Sequence, residues 1–290
     1  MRFSLIHQKG NQVKHLLILL SLFLFSFIYI SCSKSSDDGS KSTDNTTSTD
    51  NTTSTDNTTT SPWTKQLGTS DWDRGYDVTT DSSGNIYVTG VTFGGLDGNT
   101  NSGYSDIFLV KYNSSGTKQW TKQLGTSSSD DGVGFTTDSS GNIYVTGGTL
   151  GGLDGNTNSG IFDIFLVKYN SSGTKQWTKQ LGTSSEDWGN DVTTDSSDNI
   201  YVTGWTTGKL DGNTNSGRYD IFLIKYNSSG TKQWTKLLGT PSSDTGRGVT
   251  TDSSGNIYVT GGTEGRLDGN TNSGSYDIFL VKYSSSGTKQ

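Results

Sequence analysis

Asp97-Gly98-Asn99-Thr100-Asn101-Ser102-Gly103 places three side-chain oxygens at alternating positions of one short segment. The pattern returns at Asp154, Asn156 and Asn158, at Asp211, Asn213 and Asn215, and at Asp268, Asn270 and Asn272. Alternation puts the oxygens on one side of a tight loop. Hard Ca²⁺ seeks about six to eight such ligands, and Asp106, Asp163, Asp220 or Asp277, a few residues on, would add a carboxylate. These loops are therefore candidate Ca²⁺ sites, though no cofactor is required by the sequence. Two features argue for a plainer role as Asx turns that satisfy their own backbone. Each loop holds only one or two carboxylates, and Ser102 stands where the helical calcium loop carries glycine.

Other side chains invite similar weighing. Asp73, Asp130, Asp187 and Asp244 precede glycine by two positions and suit turn caps that accept backbone N–H bonds. Trp63, Trp120, Trp177 and Trp234 recur at one position of a repeated text, where packing between neighbouring units is the simpler role than stacking on sugars. Trp72, Trp188 and Trp205 are not repeated in every copy, so they are the candidate ligand-binding aromatics, for a partner-specific contact at a loop rim. No catalytic residues are assigned. The only histidines are His7 and His15, the only cysteine is Cys32, and Glu186 and Glu264 fall at unrelated repeat positions. General base and thiol chemistry thus lack their usual groups. Four near-copies also give equal loops rather than one asymmetric site. The expectation is a chain that is not an enzyme; paired-aspartate hydrolase or lyase chemistry stands as the last alternative.

The elements that carry these residues begin beyond residue 62. Residues 1–31 read as an export signal: Arg2, Lys9 and Lys14 precede an apolar run of 15 residues, Leu16 to Ile30, which is short of the roughly 20 that a spanning helix needs. Tyr29-Ile30-Ser31-Cys32 resembles a bacterial lipobox, which implies lipidation at Cys32, palmitate among the acyl chains, and a membrane anchor. Several chains hold firmly, since each buried methylene contributes about 0.8 kcal/mol. Residues 32–62 follow as a Ser/Thr/Asp/Asn tether with nothing apolar to bury before Pro62. Loss of residues 1–31 leaves 19 cationic against 28 acidic side chains, a net charge of −9 with no histidine. A chain so acidic is a poor ligand for nucleic acid.

Residues 63–290 divide into four units of 57: 63–119, 120–176, 177–233 and 234–290. A fixed period of this length marks a repeat architecture. Each unit offers four strands. In the first these are Tyr76 to Asp81, Asn85 to Gly90, Asp106 to Tyr112 and Thr117 to Gly125, with Asp81-Ser-Ser-Gly84 and Asn113-Ser-Ser-Gly116 as turns. Ile107, Leu109 and Lys111 share one face of the third strand, and Phe108, Val110 and Tyr112 share the other. No window has an apolar period of 3.6, so no helix is expected here.

Sequential four-stranded units describe propeller blades. The text Asp73-x-Gly75, Val78-x-x-Asp81-Ser-Ser-Gly84-Asn85-Ile86-Tyr87-Val88-Thr89-Gly90 and Asp106-Ile-Phe108, in phase in every unit, resembles the bacterial SBBP repeat. That resemblance implies a β-propeller, here all-β with four blades of four antiparallel strands rather than seven blades. Residue 63 starts midway through an outer strand, and Gln290 falls where the next Trp would stand. A ring is therefore expected to close by pairing 63–69 with the last blade, with an open arc of blades, able to self-associate, as the alternative. The functional expectation is an exported lipoprotein of the bacterial cell envelope, membrane-anchored and surface-facing. It would act as an interaction platform for an unidentified protein or glycan, with a Ca²⁺-stabilised, lectin-like propeller as runner-up.

Overall fold

A computed structural model describes residues 62–290. The expected export signal, Cys32 and the expected tether to residue 61 lie outside the described residues. No helix among the described residues is long and apolar enough to cross a membrane.

Fifteen strands form four antiparallel sheets, each built from consecutive strands. The first sheet holds β1 (Asp73–Thr80), β2 (Ile86–Thr92), β3 (Asp106–Tyr112) and β4 (Lys118–Leu124). The second holds β5 (Asp130–Thr137), β6 (Ile143–Thr149), β7 (Asp163–Tyr169) and β8 (Lys175–Leu181). The third holds β9 (Asp187–Thr194), β10 (Ile200–Thr206), β11 (Asp220–Tyr226) and β12 (Lys232–Leu238). The fourth holds three strands, β13 (Asp244–Thr251), β14 (Ile257–Thr263) and β15 (Asp277–Tyr283). The turns form where expected: Asp81 accepts from the backbone N–H of Ser83 and Asn85, and Gly84 takes the left-handed backbone (φ 75°) that closes the turn. Among the described residues helical structure is limited to single 3-10 turns such as Leu96–Gly98.

Side-chain alternation along the third strand of each sheet builds the core. Ile107 and Leu109 point from the first sheet into a cluster with Phe135, Val145, Phe165 and Val167 of the second. The second meets the third in the same way, through Ile164 and Leu166 against Val192, Val202, Phe222 and Ile224. The third meets the fourth through Ile221 and Leu223 against Val249, Val259 and Val281. Each junction carries a polar tie as well: the Lys111, Lys168 and Lys225 ammonium groups donate to the Ser171, Ser228 and Ser285 carbonyls at 3.2, 3.3 and 3.1 Å. Trp120 packs on Tyr87 of its own sheet and lies over Gly173 of the next, where an added Cβ would meet the ring at 3.0 Å. That contact leaves no room for a larger residue at Gly173.

The ends differ from the expected clasp. Residues 62–69 form no strand, and no pairing joins the first sheet to the last. The four blades take the arrangement of an open arc. Trp63 lies over Gly116, as Trp120 lies over Gly173, so the N-terminal segment rests on the first sheet in the place a preceding blade's outer strand would hold.

Candidate binding rim

Two recurrent polar devices fix the loops at one end of the blades. In the first, the Asp130 carboxylate accepts from the Thr126 N–H at 2.5 Å and its hydroxyl at 2.8 Å, and also from the Thr149 hydroxyl. Asp187 and Asp244 repeat the network, and Asp73 holds Thr69 and Thr92 likewise. These aspartates bind their own loops, the capping role expected of them.

The second device is the Asp-Gly-Asn-Thr-Asn-Ser-Gly loop. Asp97 takes left-handed backbone (φ 55°) and turns its carboxylate to the Lys118 ammonium and the Thr121 hydroxyl. The Lys118 bond, with Thr121, holds the Asp97 carboxyl below its ordinary value. Asp154, Asp211 and Asp268 pair likewise with Lys175, Lys232 and Lys289. Asn99 donates to the Leu96 carbonyl, and Asn156, Asn213 and Asn270 follow it. Asn101 donates to the Phe93 and Gly103 carbonyls, and Asn158, Asn215 and Asn272 donate to the Thr149, Thr206 and Thr263 carbonyls at the ends of β6, β10 and β14. In each loop the aspartate carboxylate thus faces a lysine, while the two asparagines donate their amide nitrogens to separate backbone carbonyls. At the loop base, Asn101 Oδ1 and Asp106 Oδ1 are buried and accept no hydrogen bond, as are Asp163 Oδ1 and Asp220 Oδ1 in the next two blades. Among the described residues no group of three or more Asp, Glu, His or Cys converges.

The three non-repeated tryptophans all lie at this end. Trp72 is 75% exposed and meets Phe93 edge-on at 6.4 Å; Phe93 in turn meets Tyr104, 71% exposed, at 5.2 Å. Trp188 and Trp205 lie parallel, 6.5 Å apart, flanked by Phe162 and Tyr219 at 4.8 Å each. The Arg218 guanidinium caps the Tyr219 ring at 5.1 Å.

Sequence reasoning missed the companions of these aromatics, although a signal was present. At four of the 57 repeat positions all four copies differ: Arg74, Asp131, Trp188, Thr245; Tyr76, Val133, Asn190, Arg247; Phe93, Leu150, Thr207, Glu264; and Tyr104, Ile161, Arg218, Ser275. These positions are up to 30 residues apart in the chain. The fold brings them together because β1 starts, β2 ends and β3 starts at the same end of the sheet. Arg74, Tyr76, Phe93 and Tyr104 line one cleft of about 460 Å³ with Trp72. Arg218, Thr245, Arg247 and Glu264 line another of about 310 Å³ with Trp205, Tyr219 and Tyr276. The apolar positions that join the blades are largely shared among the repeats, and the positions at which all four copies differ lie at this end.

A half-buried acid lies elsewhere, on β9. Burial pushes the Asp191 carboxyl up to about 6, against hydrogen bonds from the Val249 and Val192 N–H groups, and the Asp77 charge adds to the rise. Burial raises Asp77 as well.

Comparison with known proteins places the repeats. The SBBP beta-propeller repeat profile matches residues 63–97, 119–154, 176–211 and 233–268. An uncharacterized WD repeat-containing protein, L264, of Acanthamoeba polyphaga mimivirus is 28% identical over 227 residues, covering 61% of this chain and 16% of that protein. The regulatory protein FlaEY of Caulobacter vibrioides is 27% identical over 186 residues, covering 57% of this chain and 20% of that protein. The chain thus spans about a fifth or less of these relatives. Among solved structures, a luciferin-regenerating enzyme aligns with a TM-score of 0.37 at 14% identity, over 74% of this chain and 59% of its own. A Bacteroides caccae protein of unknown function aligns with a TM-score of 0.27 at 10% identity, over 79% and 82%. The first of these corrects the expectation that the chain is not an enzyme. That structure is named as an enzyme, and the expectation is not carried further. At that distance the likeness carries no chemistry to this chain.

Proposed function

We propose, from a chain that carries four SBBP beta-propeller repeats, that it is a lipoprotein of the bacterial cell envelope whose variable rim is a binding platform for a protein or glycan. One observation carries this reading: the four fully variable repeat positions gather at one end of the blades, together with exposed aromatics. Variation gathered beside exposed aromatics fits recognition, because loop-bearing ends of a rigid scaffold carry binding residues. Trp72 and Tyr104 offer large, rigid faces with few rotamers to freeze, suited to stacking on sugar rings or on a partner's side chains.

A glycan array probed with the purified full chain tests the platform. Binding that Trp72→Ala abolishes supports a glycan ligand. Absence of glycan binding, together with photo-crosslinking from Tyr104 to a single envelope protein, supports a protein ligand. Ligand capture that is indifferent to every rim substitution overturns the reading. The anchor has its own test: metabolic labelling with palmitate should mark the chain and fail on Cys32→Ser.

Ca²⁺ stabilisation is the second reading, favoured by the unpartnered buried oxygens Asn101 Oδ1 and Asp106 Oδ1 at one loop base. Identical melting temperatures in excess Ca²⁺ and in chelator would sink it.

A further inference from the structure

The cations that recur in the repeats are engaged by the fold. Lys118, Lys175, Lys232 and Lys289 pair with aspartates. Lys111, Lys168 and Lys225 donate to serine carbonyls, and Lys65, Lys122, Lys179 and Lys236 lie over tryptophan rings. The arginines differ. Arg74, Arg218, Arg247 and Arg266 stand at four different repeat positions. Among the described residues none of them forms an ion pair. Two of the four, Arg218 and Arg247, are exposed and line one cleft of about 310 Å³ between the third and fourth sheets. The Arg218 guanidinium lies over the Tyr219 ring at 5.1 Å, a contact that holds the charge in place without using an acceptor.

One repeat position sets the shape and sign of this cleft. Asp131, Trp188 and Thr245 are equivalent residues of the second, third and fourth blades. Trp188 lies over Gly148, where an added Cβ would meet the ring at 2.4 Å, and against Phe162, so it fills the junction between the second and third sheets. Thr245 is smaller and leaves the junction between the third and fourth open, with Trp205 and Tyr219 in its wall. At the first junction Asp131 joins Asp71 and Asp73, so three carboxylates share that cleft with Arg74. Between the third and fourth sheets two arginines share theirs with one carboxylate, Glu264. The whole chain carries a net charge of −6. At physiological ionic strength, however, exposed charges more than about 8 Å apart are largely screened. A group in this cleft therefore responds to the two arginines rather than to the chain.

We infer that the cleft between the third and fourth sheets takes a carboxylate-bearing sugar ring, the uronate unit of an acidic glycan. The inference rests on the reading of the rim as a binding platform and gives one of its clefts a ligand class. The Arg218 and Arg247 forks bind the carboxylate, whose two oxygens a planar guanidinium matches. Trp205 and Tyr219 offer the ring an apolar wall, and Glu264 accepts from a ring hydroxyl. The volume of about 310 Å³ lies at the small end of ligand pockets, about 300–1,000 Å³. Such a cleft suits a single ring better than a folded protein surface. Arginine stays charged across the working pH range, so binding persists until the ligand's own carboxyl is protonated. The three carboxylates at the first junction repel the same ligand, and the two clefts thus sort ligands by charge.

An array of galacturonate, glucuronate and mannuronate oligomers, each beside its carboxyl-reduced counterpart, tests the site with the purified full chain. At least one uronate oligomer is expected to bind, and its reduced counterpart at least about tenfold more weakly, because the charge-assisted pairs are lost. Calorimetric titration of that oligomer should show Arg218→Gln and Arg247→Gln each at least about tenfold weaker, with melting temperatures unchanged because both side chains are exposed. Trp72→Ala should leave this affinity as it is. No uronate binding overturns the inference, as does equal affinity for acidic and reduced oligomers, or uronate binding that both arginine variants retain. Binding of polyglutamate that depends on Arg247, without uronate binding, overturns it in favour of an acidic protein segment. In each of these cases the platform reading stands if another ligand is lost on a rim substitution such as Trp72→Ala, and falls with the inference if no rim substitution matters.

Discussion

β7 and β15 carry the same seven residues, Asp-Ile-Phe-Leu-Val-Lys-Tyr, yet the solvent treats them as different molecules. In β7, Ile164 and Leu166 are 2% and 1% exposed; in β15 their equivalents stand in water. The local sequence, backbone and register are shared, since both strands pair with an Ile-Tyr-Val-Thr-Gly-Gly-Thr neighbour in the same alignment. What differs is the next sheet. Burial in this protein is a property of a junction between repeats, and no single repeat possesses it.

Truncation at equivalent positions is the sharpest way to break that comparison. Leu166→Ala opens a cavity between two sheets and should cost about 2–5 kcal/mol, read as a lowered urea midpoint. Leu280→Ala, measured where the chain is single, should stay within about 0.5 kcal/mol. Equal losses at both sites would contradict the account. A next, smaller effect concerns the half-buried Asp191, for which no equivalent exists in the second and fourth blades, where Gly134 and Gly248 stand. Its folded-state pKa is raised to about 6 by burial. The protonated form is therefore the one the fold prefers, and stability falls as pH rises through that value. Asp191→Asn should gain up to about 2 kcal/mol over wild type at pH 7.5 and almost nothing at pH 4. Thermal melts at the two pH values check it, and a gain that does not grow with pH would refute it.

The smallest effects belong to features all blades share. Lys175→Met breaks the pair with Asp154, which is partly exposed, and should cost no more than about 0.5 kcal/mol. The Asp97 carboxyl sits below its ordinary value because Lys118 and Thr121 bind it. Its contribution is therefore present above the ordinary carboxylate pKa and lost as the medium is acidified. Trp72→Ala should leave the melting temperature unchanged, since the ring is largely in water; a clear drop would move Trp72 from the rim into the core.

Much of the fold was legible in the text. The third strand, Asp106 to Tyr112, has its expected limits, and its two faces divide as period-two alternation requires. The outer strand lies within its expected span, and β1 and β2 extend it by two or three residues because pairing continues past the β-branched stretch into Asp73-Arg-Gly and Val91-Thr92. The rim was legible only in part. Non-repetition singled out Trp72, Trp188 and Trp205, but Arg74, Phe93 and Tyr104 join only when antiparallel pairing folds their positions onto one end. The partners of the Asp-Gly-Asn loops were hidden for a similar reason, because Lys118 lies 21 residues beyond Asp97 and reaches it only across the sheet. The open ends were the least legible of all, for the text of β15 is that of β7.

Three apolar clusters each join two neighbouring sheets and no more, and the fourth lies on the first sheet alone. Such a molecule behaves as a one-dimensional row, in which a repeat is held only by those beside it. Its middle blades are secured twice and its terminal blades once, so an isolated arc frays from the outside inward. Amide exchange should then be slowest in β6, β7, β10 and β11 and fastest in the outlying sheets. A contact that joins the two ends would abolish that gradient, turning a row that unravels into a circuit with no place to begin.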